Sequence, residues 1–132
     1  MANSDITIRT GSAPAAKEIK ASAHYAYIVN GITLDGSKFE TAALVMEGLC
    51  VVKDDTTGKY EPYADDGGAF PAGKSNPVIL DESVKFTPKD DGTNPDLTAG
   101  QVLVHGAVYE AMLTGCTEAF KAKLAGAIRF VQ

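Results

Sequence analysis

A β-hairpin is predicted by the stretch Leu49-Cys50-Val51-Val52-Lys53-Asp54-Asp55-Thr56-Thr57-Gly58-Lys59-Tyr60-Glu61-Pro62-Tyr63. An apolar run ends at Val52, a polar turn follows, and a second strand then carries two tyrosines. Gly58 suits the turn because glycine adopts the positive φ that a tight reversal requires. Tyr60 and Tyr63 are three positions apart, so they face opposite sides of a regular strand, and we expect one in the core and one exposed. The hairpin is therefore interpreted as architecture and not as a catalytic segment.

The composition is that of one globular domain. The chain has 132 residues, of which 45% are apolar and 22% are charged. Its net charge is −5, and ten acidic against five basic residues between positions 53 and 96 account for that imbalance. The sequence has no basic stripe for a phosphate backbone, no apolar run near the ~20 residues of a membrane span and no secretion-signal pattern. We therefore expect no nucleic acid and no membrane as partners, and synthesis in the cytoplasm.

Short strands separated by turns continue on both sides of the hairpin. Strands are predicted before the Asn30-Gly31 turn, over Pro77-Val78-Ile79-Leu80, over residues 100–108 and over residues 128–131. The run from Pro77 to Leu80 is wholly apolar, so we expect it to be buried on both faces. Residues 88–95 are predicted to form an exposed acidic loop.

A single helix is predicted near the C-terminus, over residues 117–125. Its apolar face has spacings of three, four and four and consists of Leu113, Cys116, Phe120 and Leu124. Together with the strands, this helix predicts an α+β, β-rich fold, a small single domain of short strands and hairpins. Residues 23–132 are assigned to this body.

The first 22 residues are interpreted as an extended N-terminal arm. Ile6, Thr7 and Ile8 form a short alternating stretch that ends at Arg9, and a linker-like stretch rich in alanine, serine and glycine follows. Fraying is the plain alternative, since most termini fray. Because β-branched residues favour strands over linkers, we expect these four residues to pair with the sheet edge of a partner protein.

The sequence contains no grouping with the spacing of an active site. His24 and His105 lack nearby metal-binding partners and are interpreted as strand residues. Thr57-Gly58-Lys59 lacks the upstream glycine and the helix of a phosphate-binding loop. The loop around Asp90 lacks the residue order of a calcium-binding loop. We therefore expect a protein that is not an enzyme and has no cofactor and no metal.

Cys50 and Cys116 are the only cysteines, and both lie among apolar or small residues. One disulfide bond between them is arithmetically available. Two reduced thiols are the preferred interpretation, because a thiol packs as a small apolar group. The position of Cys116 on the apolar helix face favours core packing over a nucleophilic role.

Four short motifs occur in an order that is more specific than any one of them. They are Thr57-Gly58-Lys59, Ile79-Leu80, Val102-Leu103-Val104-His105-Gly106 and Leu113-Thr114-Gly115. In this order they resemble the head decoration protein family of lambda-like tailed bacteriophages, over roughly residues 44–131. Two features depart from the family pattern. Val78 occupies a position where members often have glycine, and the loop over residues 87–98 is longer.

The resemblance implies a small fold with a β-tulip-like core and a homotrimer on the outer surface of the virion. It implies that the arm, with Ile6, Thr7, Ile8 and Arg9, orders against the major capsid protein. A trimer that binds only the expanded shell would stabilise it against the pressure of packaged DNA. The alternative is a β-rich surface-binding module, such as a carbohydrate-binding or host-adhesion domain, suggested by the five tyrosines and the acidic loops. An enzyme whose site is assembled from distant residues is a third hypothesis.

Overall fold

The computed structural model describes residues 18–132, and these form ten strands, two 3₁₀ helices and one α-helix. The strands are β1 (Ala26–Tyr27), β2 (Ile32–Leu34), β3 (Leu44–Val45), β4 (Cys50–Asp54), β5 (Tyr60–Pro62), β6 (Lys74–Leu80), β7 (Val84–Lys85), β8 (Leu97–Ala99), β9 (Val102–Tyr109) and β10 (Ile128–Val131). The 3₁₀ helices are Gly36–Lys38 and Glu110–Met112, and helix α1 is Glu118–Lys123. This confirms the predicted α+β, β-rich class.

Eight of the strands form one curled sheet. Its order is β1-β9-β6-β4-β5-β2-β8, with β10 paired to β9, while β3 and β7 form a separate pair. The pairs β2–β5 and β9–β10 are parallel, and the other pairs are antiparallel. Strands β1 and β8 lie at the two ends of this order. The chain runs from β1 directly to β2, the neighbour of β8, and from β8 directly to β9, the neighbour of β1. The sheet therefore curls back on itself and encloses an apolar interior.

The turn between β1 and β2 brings the two ends of the sheet together. Asn30 and Gly31 have φ values of 69° and 70°. A Cβ atom at Gly31 would lie 2.2 Å from the carbonyl oxygen of Ala99, so only glycine fits here. Beside the turn, the Ile28 N–H donates to the Val102 carbonyl at 2.9 Å. The predicted Asn-Gly turn therefore reverses the chain and also packs closely against Ala99.

The predicted hairpin is formed by β4 and β5, with Lys53 opposite Tyr60. Tyr60 and Tyr63 do face opposite sides, but the expectation that one of them is exposed is wrong, because both are buried. Tyr63 packs against Phe120 of α1 with ring centroids 4.9 Å apart. The helix covers the outer face of the hairpin, and a sheet covered on both faces buries both tyrosines.

Two apolar clusters result, one on each face of the sheet. The inner core lies inside the curl and contains Ile32, Leu34, Val45, Val51, Tyr60, Val78, Leu80, Phe86, Ala99 and Val102. The outer core lies under α1 and contains Ile19, Cys50, Val52, Tyr63, Ile79, Leu103, Val108, Phe120, Leu124 and Ile128. Along β6, Val78 and Leu80 enter the inner core and Ile79 enters the outer core, which confirms the predicted burial on both faces.

Helix α1 is shorter than the predicted range. Thr117 caps its N-terminus by accepting a hydrogen bond from the Phe120 N–H at 3.3 Å. Leu113 and Cys116 precede the helix, although both pack against the outer core as the spacing predicts. Within residues 18–132, no helix has the length and apolar character needed to cross a membrane.

Candidate functional site

Ile6, Thr7, Ile8 and Arg9, the predicted capsid-binding residues, lie outside the described residues. The structure does describe the segment that connects the arm to the body. We call this segment, residues 18–27, the arm root. It runs antiparallel to β9 along one side of that strand. The candidate site is therefore built from the arm root and the groups on the body that hold it.

Ile19 attaches the arm root to the body through both its backbone and its side chain. Its carbonyl accepts a hydrogen bond from the Tyr109 N–H at 2.8 Å, and the Ala21 N–H donates to the Ala107 carbonyl at 2.8 Å. The Ile19 side chain is fully buried in the outer core. Part of the predicted arm, from Ile19 onward, is thus packed against the body.

A buried carboxylate holds the arm root at its polar side. Asp81 follows β6 directly, and its side chain is only 2% exposed. Its Oδ2 accepts hydrogen bonds from Lys20 Nζ and from the Tyr27 hydroxyl, each at 2.5 Å. We call these three residues the Asp81 clamp. It joins two points of the arm root to one point of the body, 61 and 54 residues away along the chain.

The clamp shifts the proton affinities of the groups bound to Asp81. Burial and the hydrogen bond to Asp81 raise the pKa of Tyr27 to about 12. Burial alone would lower the pKa of Lys20, but its hydrogen bonds to Asp81 and Glu18 outweigh this and raise it. Lys20 therefore stays positive and Tyr27 stays neutral throughout the physiological range.

Tyr25 packs closely over β9 at Gly106, where the backbone conformation favours glycine. Gly106 has a φ of 145°, and a Cβ atom there would lie 3.0 Å from the Tyr25 Cβ. Lys20 Nζ lies 4.8 Å from the centroid of the Tyr25 ring, a cation–π distance. The Tyr25 ring also packs against Tyr27, with centroids 5.1 Å apart. Tyr25 and Tyr27 therefore belong to the packed structure.

The clamp residues were not recognised as functional from the sequence. In the sequence, Asp81 is simply the residue that follows the Pro77–Leu80 run. The available signal is its position, because an acid directly after a doubly buried strand lies at the edge of the core. Lys20 carries a weaker signal, since it follows the apolar Ile19. No spacing rule connects the two residues, because they are 61 positions apart.

A second surface feature is an apolar groove of about 570 Å³ beside β3. Its walls include Phe39, Leu44, Met46, Leu49 and Pro62. Leu44, on β3, is 53% exposed. The lining of the groove is mainly aliphatic and aromatic, and Lys38 and Glu40 are its charged residues.

The other predicted candidates are dispersed. Within residues 18–132, no three His, Cys, Asp or Glu side chains lie close enough together to hold a metal ion. His24 is exposed before β1, and His105 is exposed on β9. Asp91 accepts hydrogen bonds from the backbone N–H and the hydroxyl of Thr93, so its side chain stabilises the turn in which it lies. Cys50 and Cys116 are both free thiols.

The chain was compared with protein-family models, with curated proteins and with solved structures, and none of them matches it. The resemblance to head decoration proteins therefore remains a prediction from the sequence motifs.

Proposed function

We propose that this protein is a capsid decoration protein, a non-enzymatic homotrimer that binds the major capsid protein of an expanded phage shell through its N-terminal arm. The observation that carries the proposal is the firm attachment of the arm root. Ile19 is buried and Lys20 is ion-paired to a carboxylate that is itself buried. An arm transmits a binding event to the body only if its point of attachment is fixed, and this attachment supports that role.

The arm supplies the binding energy in this proposal. If the arm pairs as a strand, Ile6 and Ile8 share one face of it, because they are two positions apart. Burial of each isoleucine against the capsid protein contributes about 1.5–3 kcal/mol, while strand addition supplies main-chain hydrogen bonds. In a trimer, binding of one arm raises the effective concentration of the other two. Protein bound only to the expanded shell stabilises that state by mass action.

The test is co-sedimentation of the purified protein with capsids assembled from the major capsid protein of the same phage genome. We expect binding to expanded capsids and none to unexpanded capsids. Equal binding to both forms, or binding to neither, would contradict the proposal. Analytical ultracentrifugation of the bound and released protein then tests whether three copies act together.

The structure also determines where the arm should be cut. Removal of residues 1–22 would delete Ile19 and Lys20 and so damage the outer core and the clamp. Removal of residues 1–17 leaves both in place. We expect this shorter deletion to abolish capsid binding at an unchanged melting temperature. A truncated protein that still binds expanded capsids would show that the arm is not the anchor.

Point variants in the arm test the same proposal without a deletion. Ile6→Asp and Ile8→Asp should each weaken capsid binding by roughly 10- to 100-fold, because each removes one buried isoleucine. Ala15→Asp, in the linker-like part of the same arm, is the matched control and should bind as the unmodified chain does.

The adhesion hypothesis draws less support from the tyrosines than their number suggests. Tyr60 and Tyr63 are buried, and Tyr27 belongs to the clamp. This leaves Tyr25 and Tyr109 as tyrosines with large exposed surfaces, at 43% and 41%. A glycan array with and without calcium distinguishes the two hypotheses, because a decoration protein should bind no glycan in either condition.

A further inference from the structure

The backbone pairs the start of β4 with the segment that precedes α1. The Cys50 N–H donates to the Thr114 carbonyl at 3.0 Å, and the Thr114 N–H donates to the Gly48 carbonyl at 3.0 Å. A Cβ atom at Gly115 would lie 4.0 Å from the Cys50 Cβ. Cys116 is the next residue. Two chain segments that are more than sixty residues apart are thus fixed side by side at the two cysteines.

Both cysteines pack in the outer core. Cys50 belongs to this core and is fully buried, while Cys116 packs against it and is half-buried. Each thiol perturbs the proton affinity of the other: burial and then the Cys116 thiol raise the pKa of Cys50. Burial and the nearby Glu110 carboxylate raise the pKa of Cys116, and its hydrogen bond with Cys50 acts in the opposite direction. The hydrogen bond from Cys50 to Thr114 and the packing of both cysteines in the outer core place the two side chains close together, and only Cys116 is partly exposed.

We propose that Cys50 and Cys116 form a modification site. Small disulfides such as oxidised glutathione oxidise these two thiols to an intramolecular disulfide bond. The proposal concerns the body alone and does not depend on capsid binding. It follows from the pairing of the two segments, the packing of both cysteines in the outer core and the unequal exposure of the two residues.

The reaction proceeds in two exchange steps. The Cys116 thiolate attacks one sulfur of oxidised glutathione, forms a mixed disulfide and releases one glutathione thiolate. The Cys50 thiolate then attacks the Cys116 sulfur of the mixed disulfide and releases the second glutathione. Two cysteine thiols are oxidised to one disulfide, and one glutathione disulfide is reduced to two thiols. Because both pKa values are raised, the reaction accelerates as the pH rises above neutrality.

The bond would link β4 to the segment that leads into α1, across the outer core. It would close a long loop and so restrict the unfolded chain more than the folded one. We expect the oxidised protein to melt roughly 5–15 °C higher than the reduced protein. A lower melting temperature on oxidation would contradict the proposal, because it would mean that the bond forms only when the native backbone is displaced.

The direct test uses the folded full-length protein, purified under reducing conditions and incubated with oxidised glutathione at mildly alkaline pH. Remaining thiols are alkylated after denaturation, and the intact mass is measured. We expect a mass lower by two hydrogen atoms, no alkylation and no retained glutathione. Two alkylated cysteines, a covalent dimer or a stable glutathione adduct on Cys116 would each overturn the proposal.

Single variants control for the order of the steps. Cys50→Ala should accumulate the glutathione adduct on Cys116, because no second thiol is present to release it. Cys116→Ala should retain a free Cys50, because that thiol is buried. An adduct on Cys50 in the folded Cys116→Ala variant would contradict the proposed entry through Cys116.

Discussion

The arm root and strand β10 lie on opposite sides of the same half of β9, but they are held there by different forces. Strand β10 pairs with β9 in parallel over four residues, from Ile128 opposite Gly106 to Val131 opposite Tyr109. The arm root has a shorter and interrupted ladder, with a bridge between Lys20 and Val108 and two paired residues in β1. Side chains supply the rest of the attachment of the arm root: Ile19 packs in the outer core, and Lys20 binds Asp81 in the clamp.

This difference determines how each segment can be released. A strand held by a backbone ladder tolerates most changes of side chain, since the ladder hydrogen bonds do not depend on them. The ladder of the arm root is short and interrupted, so the attachment of this segment depends more on one ion pair and one buried apolar side chain. A single substitution can therefore free the N-terminal side of β9 while the C-terminal side stays paired.

Asp81→Ala should have the largest effect. Removal of the carboxylate leaves Lys20, whose side chain is 16% exposed, without its buried partner. We expect the free energy of unfolding to fall by about 3–5 kcal/mol, the usual result when one member of a buried pair is removed. Urea denaturation measures this change. Asp66→Ala, in an exposed turn, is the matched control and should change stability by less than about 0.5 kcal/mol.

Hydrogen exchange shows which side of β9 the Asp81→Ala substitution releases. The Tyr109 N–H donates to Ile19 on the arm root, and the Gly106 N–H donates to Ala127 next to β10. Protection at Tyr109 should fall more than protection at Gly106 if the clamp holds only the arm root. An equal loss at both amides would show that the two sides open together.

The sequence predicted those parts of the fold that depend on local patterns. The hairpin, the doubly buried run from Pro77 to Leu80 and the capped helix each depend on residues close together in the chain. The burial of both hairpin tyrosines was missed, because it depends on α1 covering Tyr63 from a distant part of the sequence. The curling of the sheet likewise follows from pairing between β1 and β9.

The clamp was missed for a related physical reason. Asp81 and Lys20 are ordinary surface residue types, and only the folded chain shows that their side chains are buried together. The sequence did identify an arm before position 23, but the packing of Ile19 and Lys20 depends on the register of the arm root along β9. Register between segments so distant in the chain has no local signal.

Tyr27→Phe should have a smaller effect than Asp81→Ala. It removes one hydrogen bond to Asp81 but leaves the ring and the Lys20 ion pair in place. We expect a loss of about 2 kcal/mol, as for a hydrogen bond to a charged group. Tyr25→Phe is the matched control on the same segment, since the interactions of Tyr25 in the structure are made by its ring. Similar losses in the two variants would contradict a specific role for the Tyr27 hydroxyl.

Alkaline pH should weaken the arm root gradually and give the smallest effect. The pKa of Tyr27 is about 12 in the folded protein and 10 is its ordinary value, so the folded state holds the proton more tightly. Its contribution is fully present below pH 10 and is lost as the pH rises from 10 through 12. At pH 11 this amounts to about 1 kcal/mol. Lys20, whose pKa is also raised, acts in the same direction.

Urea denaturation at pH 9 and pH 11 measures this loss, and Tyr27→Phe isolates the part that belongs to the clamp. Tyr63, whose pKa is also raised to about 12 by burial and Asp65, contributes to the decline in both proteins, so it cancels in the comparison. We expect the decline between the two pH values to be about 1 kcal/mol smaller in Tyr27→Phe than in the unmodified chain. An equal decline would mean that the proton on Tyr27 does not stabilise the clamp. Among the side chains, Ile19 and the Lys20–Asp81 ion pair would then be the main attachments of the arm root.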